Sequence, residues 1–276
     1  MKKMILLSLV GILCLPVTVY GLSIGGAETQ GKGKIALGLE GEYVFDRDLK
    51  TFSVLDTTNS NNTHLEIKFK PELDRMSRGM LKISYGLFDG LDVYGKIGAA
   101  DFKIKDGIGG SWIDESTGEE GLFGGNFKVD SETAFAYGGG IKGNLKIGKN
   151  WLIGVDVQYL RHKDDVSGSV LVYNVAHPET ERRIVDLDRK MTVQEWHFAS
   201  YLARKLGNFT PYLGVKYSDL RMKLNDIDNI SLKFNAKDRF GTFLGTDYKI
   251  GKHFRLNLEG RFVDERAVST GISYRF

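Results

Sequence analysis

The sequence predicts an all-β protein, an up-and-down antiparallel transmembrane β-barrel of about ten strands with short turns at one end and long loops at the other. Three observations lead there. Apolar and polar residues alternate over stretches of ten or more, long for a soluble sandwich, whose strands commonly run about 5–6 residues. Aromatic residues recur eight apart on the apolar face: Trp151 and Tyr159, Phe209 and Tyr217, Phe240 and Tyr248, Phe254 and Phe262. Eight residues rise about 26 Å along a strand, which at a barrel tilt projects to roughly 20 Å, close to the apolar band that two aromatic girdles bound. The chain ends on Phe276 with Tyr274 and Ile272 in phase before it.

Taken in order, ten strands are expected at about 34–46, 78–87, 91–104, 133–147, 151–163, 191–206, 209–223, 238–250, 253–265 and 268–276. Four short punctuations separate hairpins: Leu87 to Leu91, Ile147 to Trp151, Leu206 to Phe209 and Ile250 to Phe254. Each sets Gly beside Asp, Asn or Lys between apolar runs, a tight-turn signal. The polar stretches Arg47 to Ser77, Lys105 to Glu132, Asp164 to Lys190 and Asn225 to Lys237 read as the long loops of the other end. Residues 65–73 also alternate, so the first hairpin is expected to rise beyond the rest. Two faces stay open. In 91–104, Leu91, Val93 and Ile97 compete with Tyr94 and Phe102; in 191–206, Trp196, Phe198 and Leu202 compete with Ala199, Tyr201 and Ala203.

Composition narrows the function classes. The chain has 276 residues, 38 Lys and Arg against 35 Asp and Glu, and a net charge of +3, which leaves no strong footprint for nucleic acid. A hydrophobic share of 42% argues against disorder. The single cysteine, Cys14, rules out a disulfide framework or a cysteine metal site. Residues 1–21 read as a cleaved export signal: Lys2 and Lys3 precede the apolar run Met4 to Tyr20, and Val19 and Gly21 suit the signal peptidase. Leu13 before Cys14 argues against a lipoprotein, and Pro16 interrupts a stretch already short for a retained anchor helix. Residues 22–276 are then one barrel domain.

The ending Ile272 to Phe276 resembles the C-terminal assembly signal of bacterial outer-membrane β-barrels, in which a terminal aromatic follows alternating apolar residues. With the export signal and the strand pattern, residues 22–276 resemble the porin-like and opacity-like outer-membrane families, and Tyr85 to Gly98 looks like their first periplasmic hairpin. The resemblance implies short periplasmic turns, long extracellular loops, a Gram-negative-type outer membrane, and outer-membrane lipid, lipopolysaccharide and the insertion machinery as partners, the last reading Ile272, Tyr274 and Phe276.

If the apolar faces meet lipid, then Glu40, Glu42, Lys82, Lys142, Asp156, Lys216, Arg239, Asp247, Arg255, Glu259 and Arg261 point into the lumen. Charges of both signs in a narrow barrel must pair, so either a filled lumen or a narrow water pathway is open. The expectation is a transverse ion-pair network joined by Glu259 and at least one of Arg255, Arg261 and Arg239. Gly138 to Gly143 matches a dinucleotide motif literally, but it lies inside a strand with no helix after it. Asp226 and Asp228, and Asp114, Glu115, Glu119 and Glu120, lack calcium-loop spacing. His162, beside Asp164 and Asp165, is the best candidate for an Asp–His pair activating water, as in the barrel proteases, but the rest of that motif is missing. No catalytic, cofactor or metal residue is assigned. The function expected is structural or narrow-pore, with adhesion through the long loops, or a protease or lipid-modifying enzyme, as alternatives.

Overall fold

The computed structural model describes residues 23–56, 63–114, 119–175, 183–224 and 233–276. Residues 1–21, expected as an export signal, with Cys14, and Glu115, Asp226 and Asp228, lie outside the described residues.

The elements are β1 (Ile35–Asp48), β2 (Phe52–Asp56), β3 (Thr63–Phe88), β4 (Leu91–Asp114), β5 (Glu119–Ser131), β6 (Ala134–Ile147), β7 (Trp151–Asn174), β8 (Arg183–Arg204), β9 (Phe209–Leu224), β10 (Lys233–Asn235), β11 (Phe240–Ile250), β12 (Phe254–Phe262) and β13 (Arg266–Arg275). All pairings are antiparallel. Ten strands follow one another around a ring, β1, β3, β4, β6, β7, β8, β9, β11, β12 and β13, and β13 pairs back onto β1 from Ala36 opposite Arg275 to Asp46 opposite Arg266. The remaining three extend the wall at one end: β2 pairs β3, β10 pairs β9, and β5 takes over from β6 between β4 and β7. At the other end the four expected turns place Gly90, Gly148, Gly207 and Gly251 at positive φ, a conformation glycine adopts without strain.

Several segments expected as loops are strand. β3 begins at Thr63, β4 runs to Asp114, β7 to Asn174, and β8 begins at Arg183. The reason lies in which face is apolar. On β7 the outward residues are Trp151, Ile153, Val155, Val157 and Tyr159, then Arg161, Lys163, Asp165 and Ser167. The inward residues run through Asp156, Gln158 and Leu160 to His162, Asp164 and Val166. Alternation continues, but its chemistry turns over near Tyr159.

The two open faces are resolved. Val93, Ile97, Trp196, Phe198 and Leu202 point outward, and Tyr94, Phe102, Tyr201 and Ala203 are buried inside. Trp151, Phe209, Phe240, Tyr248 and Phe262 are exposed outside; Tyr159, Tyr217 and Phe254 share that face. At the far edge of the band the rings of Tyr159, Trp196, Phe198, Tyr217 and Phe240 form a chain with centroids 4.8, 6.2, 6.2 and 5.2 Å apart. At the turn end Phe254, Tyr274 and Phe276 stack edge to face at 5.0 Å. Between the two lies an exposed apolar belt that includes Ile153, Val155, Leu213, Val215, Leu244 and Leu258. Beyond the belt the interior is an apolar core, with Phe102, Ile104, Phe127, Met191, Met222 and Phe234 among its members.

Candidate functional site: the barrel lumen

The lumen holds three layers. The first is a piece of the chain itself. Before β1, residues 32–34 are exposed at the turn end, and residues 23–30 turn in and run inside the barrel. Gly25 and Gly26 have positive φ, where a larger residue is strained, and a Cβ at either would displace the carboxylate of Glu40 or Asp247. The segment's backbone is held by lumen side chains. Asp247 accepts from Ala27 N at 2.9 Å, Asp92 accepts from Gln30 N at 2.9 Å, Tyr201 OH donates to Ala27 O at 2.9 Å, and Lys142 donates to Gly26 O at 2.6 Å and to Ile24 O. At its outer end Glu28 takes Lys249 at 2.7 Å, Lys205 at 2.9 Å and Arg255 at 3.2 Å.

Around this segment, inward side chains of neighbouring strands close on one another. Glu40 bridges Lys82 at 2.8 Å and Lys96 at 2.7 Å, and Lys82 lies over the Tyr94 ring at 4.2 Å. Tyr94 OH donates to Asp156 at 2.8 Å. The tyrosine ring needs room, and Gly140 supplies it: a Cβ there would lie 2.5 Å from Tyr94 Oη. That packing accounts for a glycine of the dinucleotide-like run. The space left between the segment and the wall beside Glu40, Lys82 and Tyr94 is about 30 Å³, room for a few waters at most. A vestibule of about 570 Å³ at the turn end stops at Glu28 and Gln30.

The second layer is a balanced ion cluster. Arg47 contacts Glu195 at 2.6 Å and Glu265 at 3.2 Å; Arg78 contacts Glu195 at 2.6 Å and Glu42 at 3.1 Å. Lys216 meets Asp264 at 3.0 Å and also Glu265, and Arg261 meets Glu265 at 3.1 Å and also Glu42. Each cation thus has at least two carboxylates, and all eight side chains are buried. Two backbone irregularities build this layer. A register shift between Val44 and Asp46 turns Arg47 inward. Val263, at φ 83°, directs Asp264 and Glu265 inward; a β-branched residue there is strained by about 1–3 kcal/mol. The third layer is the apolar core above.

Of the residues expected in the lumen, Glu40, Glu42, Lys82, Lys142, Asp156, Lys216, Asp247, Arg255, Glu259 and Arg261 are buried inside. Arg239 is not. β11 starts only at Phe240, so Arg239 leaves the strand's alternation and pairs with Asp219 at 3.2 Å and Tyr217 OH at 3.1 Å outside. Nor does Glu259 meet an arginine. It accepts from Tyr212 OH at 3.0 Å, while Arg255 goes to Glu28 and Arg261 to Glu42 and Glu265. Lys96, Arg78 and Glu195 were within reach of the alternation; Arg47, Asp264 and Glu265 were not, because a bulge and a bend place them.

Two histidine groups bear on catalysis. His162 Nδ1 lies 2.7 Å from Asp164, but both are buried in the apolar extension rather than at a wet rim. His197, Glu195 and Ser218 imitate a triad, yet Glu195 and Ser218 both approach the same Nε2, at 2.9 Å each, so the ring cannot relay between them. Arg47 also donates to Ser218 Oγ at 2.8 Å. This is a satisfied polar node.

No family model matches the chain, and no curated protein does. Similar solved structures are outer-membrane proteins at low identity. The outer membrane protease OmpT of Escherichia coli is 11% identical, with 92% of this chain and all of that one covered at a TM-score of 0.46. An outer membrane channel of Pseudomonas putida F1 is 7% identical, with 93% and 100% covered at 0.42. OprG of Pseudomonas aeruginosa is 13% identical, with 90% and 99% covered at 0.31.

Proposed function

We propose that the chain is a non-enzymatic outer-membrane β-barrel, exported with residues 1–21 removed, that is closed to solutes and holds its strand extension at the cell surface. The turn end and both chain ends face the periplasm in this reading, and Ile272, Tyr274 and Phe276 form the strand read by the insertion machinery. The exposed apolar belt between two aromatic edges supports membrane insertion, since in water such a belt is an aggregation surface.

The observation that carries the closed reading is the filled lumen: where the inner segment passes Glu40, Lys82 and Tyr94 the space left is about 30 Å³, and the Arg47–Glu195 layer lies beyond it. A narrow pore would need both to move, and breaking buried ion pairs costs about 3–5 kcal/mol each. The extension supports a surface role. From Tyr159 to Asn174, β7 rises roughly 50 Å along its own axis. The test is single-channel recording in planar bilayers. The purified protein is expected to give no steady conductance. A wide, stable open channel would overturn the reading.

A further inference from the structure

On the face of β3, β4 and β5, outward charges just beyond the aromatic edge pair with one another. Arg75 meets Asp101 at 3.9 Å, Lys128 meets Asp130 at 3.6 Å, Lys103 meets Asp130 and Lys105 meets Asp74. The face of β7, β8, β9 and β10 breaks this pattern. Register sets Arg161, Gln194 and Arg221 side by side in one row, and Lys163, Thr192, Lys223 and Lys233 in the next row out. Arg161, Lys163, Lys223 and Lys233 are exposed and have no ion pair among the described residues. Of the acids on this face, Asp219 is already shared by Arg221 at 2.6 Å and Arg239 at 3.2 Å, and Asp165, one row further out than Lys163, is taken by Lys190 at 3.4 Å. Lys223 stands directly opposite Lys233. Like charges facing each other across strands are destabilising, so an anion between them would relieve the wall itself.

The patch sits immediately beyond Tyr159 and Trp196, whose rings are 4.8 Å apart and begin the apolar belt. Basic rows above, aromatic edge, aliphatic face below: that order matches a lipid with phosphates on its headgroup and acyl chains beneath. Neighbouring strands are about 4.8 Å apart, so Lys163 and Lys223 flank a gap of roughly 10 Å across β8, into which the short Thr192 projects. Arg and Lys ammonium or guanidinium groups bind phosphate through charge-assisted hydrogen bonds.

We propose that this face binds a phosphorylated glycolipid headgroup of the outer leaflet, with Lys163, Lys223 and Lys233 as the phosphate contacts and Arg161 and Arg221 beneath them. The inference rests on the outer-membrane reading and deepens it. The experiment titrates the detergent-solubilised full-length barrel with lipid A, dephosphorylated lipid A and inorganic phosphate, following bound lipid by native mass spectrometry. Saturable binding of lipid A is expected, weakened by salt and at least tenfold weaker after dephosphorylation. Replacing Lys163, Lys223 and Lys233 together by Ser should weaken it at least tenfold, while Lys103→Ser with Lys105→Ser leaves it unchanged; an unaltered heat-dependent gel shift shows each barrel folded. Equal binding by the triple variant would overturn the assignment. So would inorganic phosphate displacing lipid A at equal concentration, which marks a free-ion site. Cell fractionation tests location separately: outer-membrane protein with an unaffected triple variant fails the inference alone.

Discussion

The two halves of the barrel wall use the same strands and the same alternation with opposite chemistry. Below the ring chain of Tyr159, Trp196 and Tyr217, outward positions are apolar and inward ones carry Glu40, Lys82, Asp156 and Glu259. Above it, outward positions carry Arg161, Lys163, Lys103 and Lys105, and inward ones are Phe102, Ile104, Met191 and Met222. A strand has no preference for which face is apolar; the medium on each side decides. Against hydrocarbon, polar groups must turn in and satisfy one another, and against water the ordinary hydrophobic drive returns. The extension is built like a soluble core, and the lower half like its inverse.

The largest effect is expected where the halves meet. Glu195 accepts from Arg47 and Arg78 and contacts His197. Glu195→Ala leaves two buried arginines short of a counter-charge, and a loss of about 3–5 kcal/mol is expected in an unfolding titration in lipid vesicles. A loss under 1 kcal/mol would mean that water enters the cluster and the interior is not sealed there.

Next come the faces themselves. Leu258 is exposed on the belt and Asn257 is buried beside it. Leu258→Arg should cost about 2–4 kcal/mol if it meets hydrocarbon. Asn257→Ser gives up bonds to Tyr212 OH at 2.8 Å and Asp247 at 3.0 Å and should cost about 1–2 kcal/mol. The reverse ranking, from the same titration, would exchange the two faces.

The smallest effect sharpens the account of the extension. Asp106 is buried there on β4, and burial pushes its carboxyl up from 3.8 to about 6, against the pull of the Lys70 N–H bond. A raised folded-state value favours the folded state at acid pH, and that contribution is lost as the pH rises through about 6. Asp106→Asn should therefore stabilise the protein by about 1–2 kcal/mol at pH 7.5 and by nearly nothing at pH 4, after allowing for partial solvation. Unfolding midpoints at the two values check this; equal shifts would place the carboxyl in water.

Much of this was legible in the sequence, because alternation and aromatic spacing are local. The ring strands and the outward rings of Trp151, Tyr159, Phe209 and Tyr217 follow from them. The rise of the first hairpin was legible in the alternation of 65–73, which β3 contains, but the rest of the extension was hidden for a physical reason: in Lys105 to Glu132 the apolar face is the other one, and Gly107, Gly109, Gly124 and Gly125 read as loop. Residues 23–30 carry no strand or helix pattern, so only the tertiary bonds from Lys142, Tyr201 and Asp247 place them in the lumen. The partner of Glu259 was missed because same-strand spacing cannot show that Tyr212 crosses from β9.

The central claim is that the medium changes from hydrocarbon to water between Tyr159 and Arg161. Spin labels on single cysteines at Ile153, Val155, Val157, Arg161, Lys163 and Ser167, with Cys14 replaced by Ser, read it directly in bilayers by comparing quenching by oxygen and by a water-soluble nickel complex. Oxygen should dominate at 153, 155 and 157, and nickel at 161, 163 and 167. Nickel dominating at all six, or oxygen continuing through 167, would contradict the account.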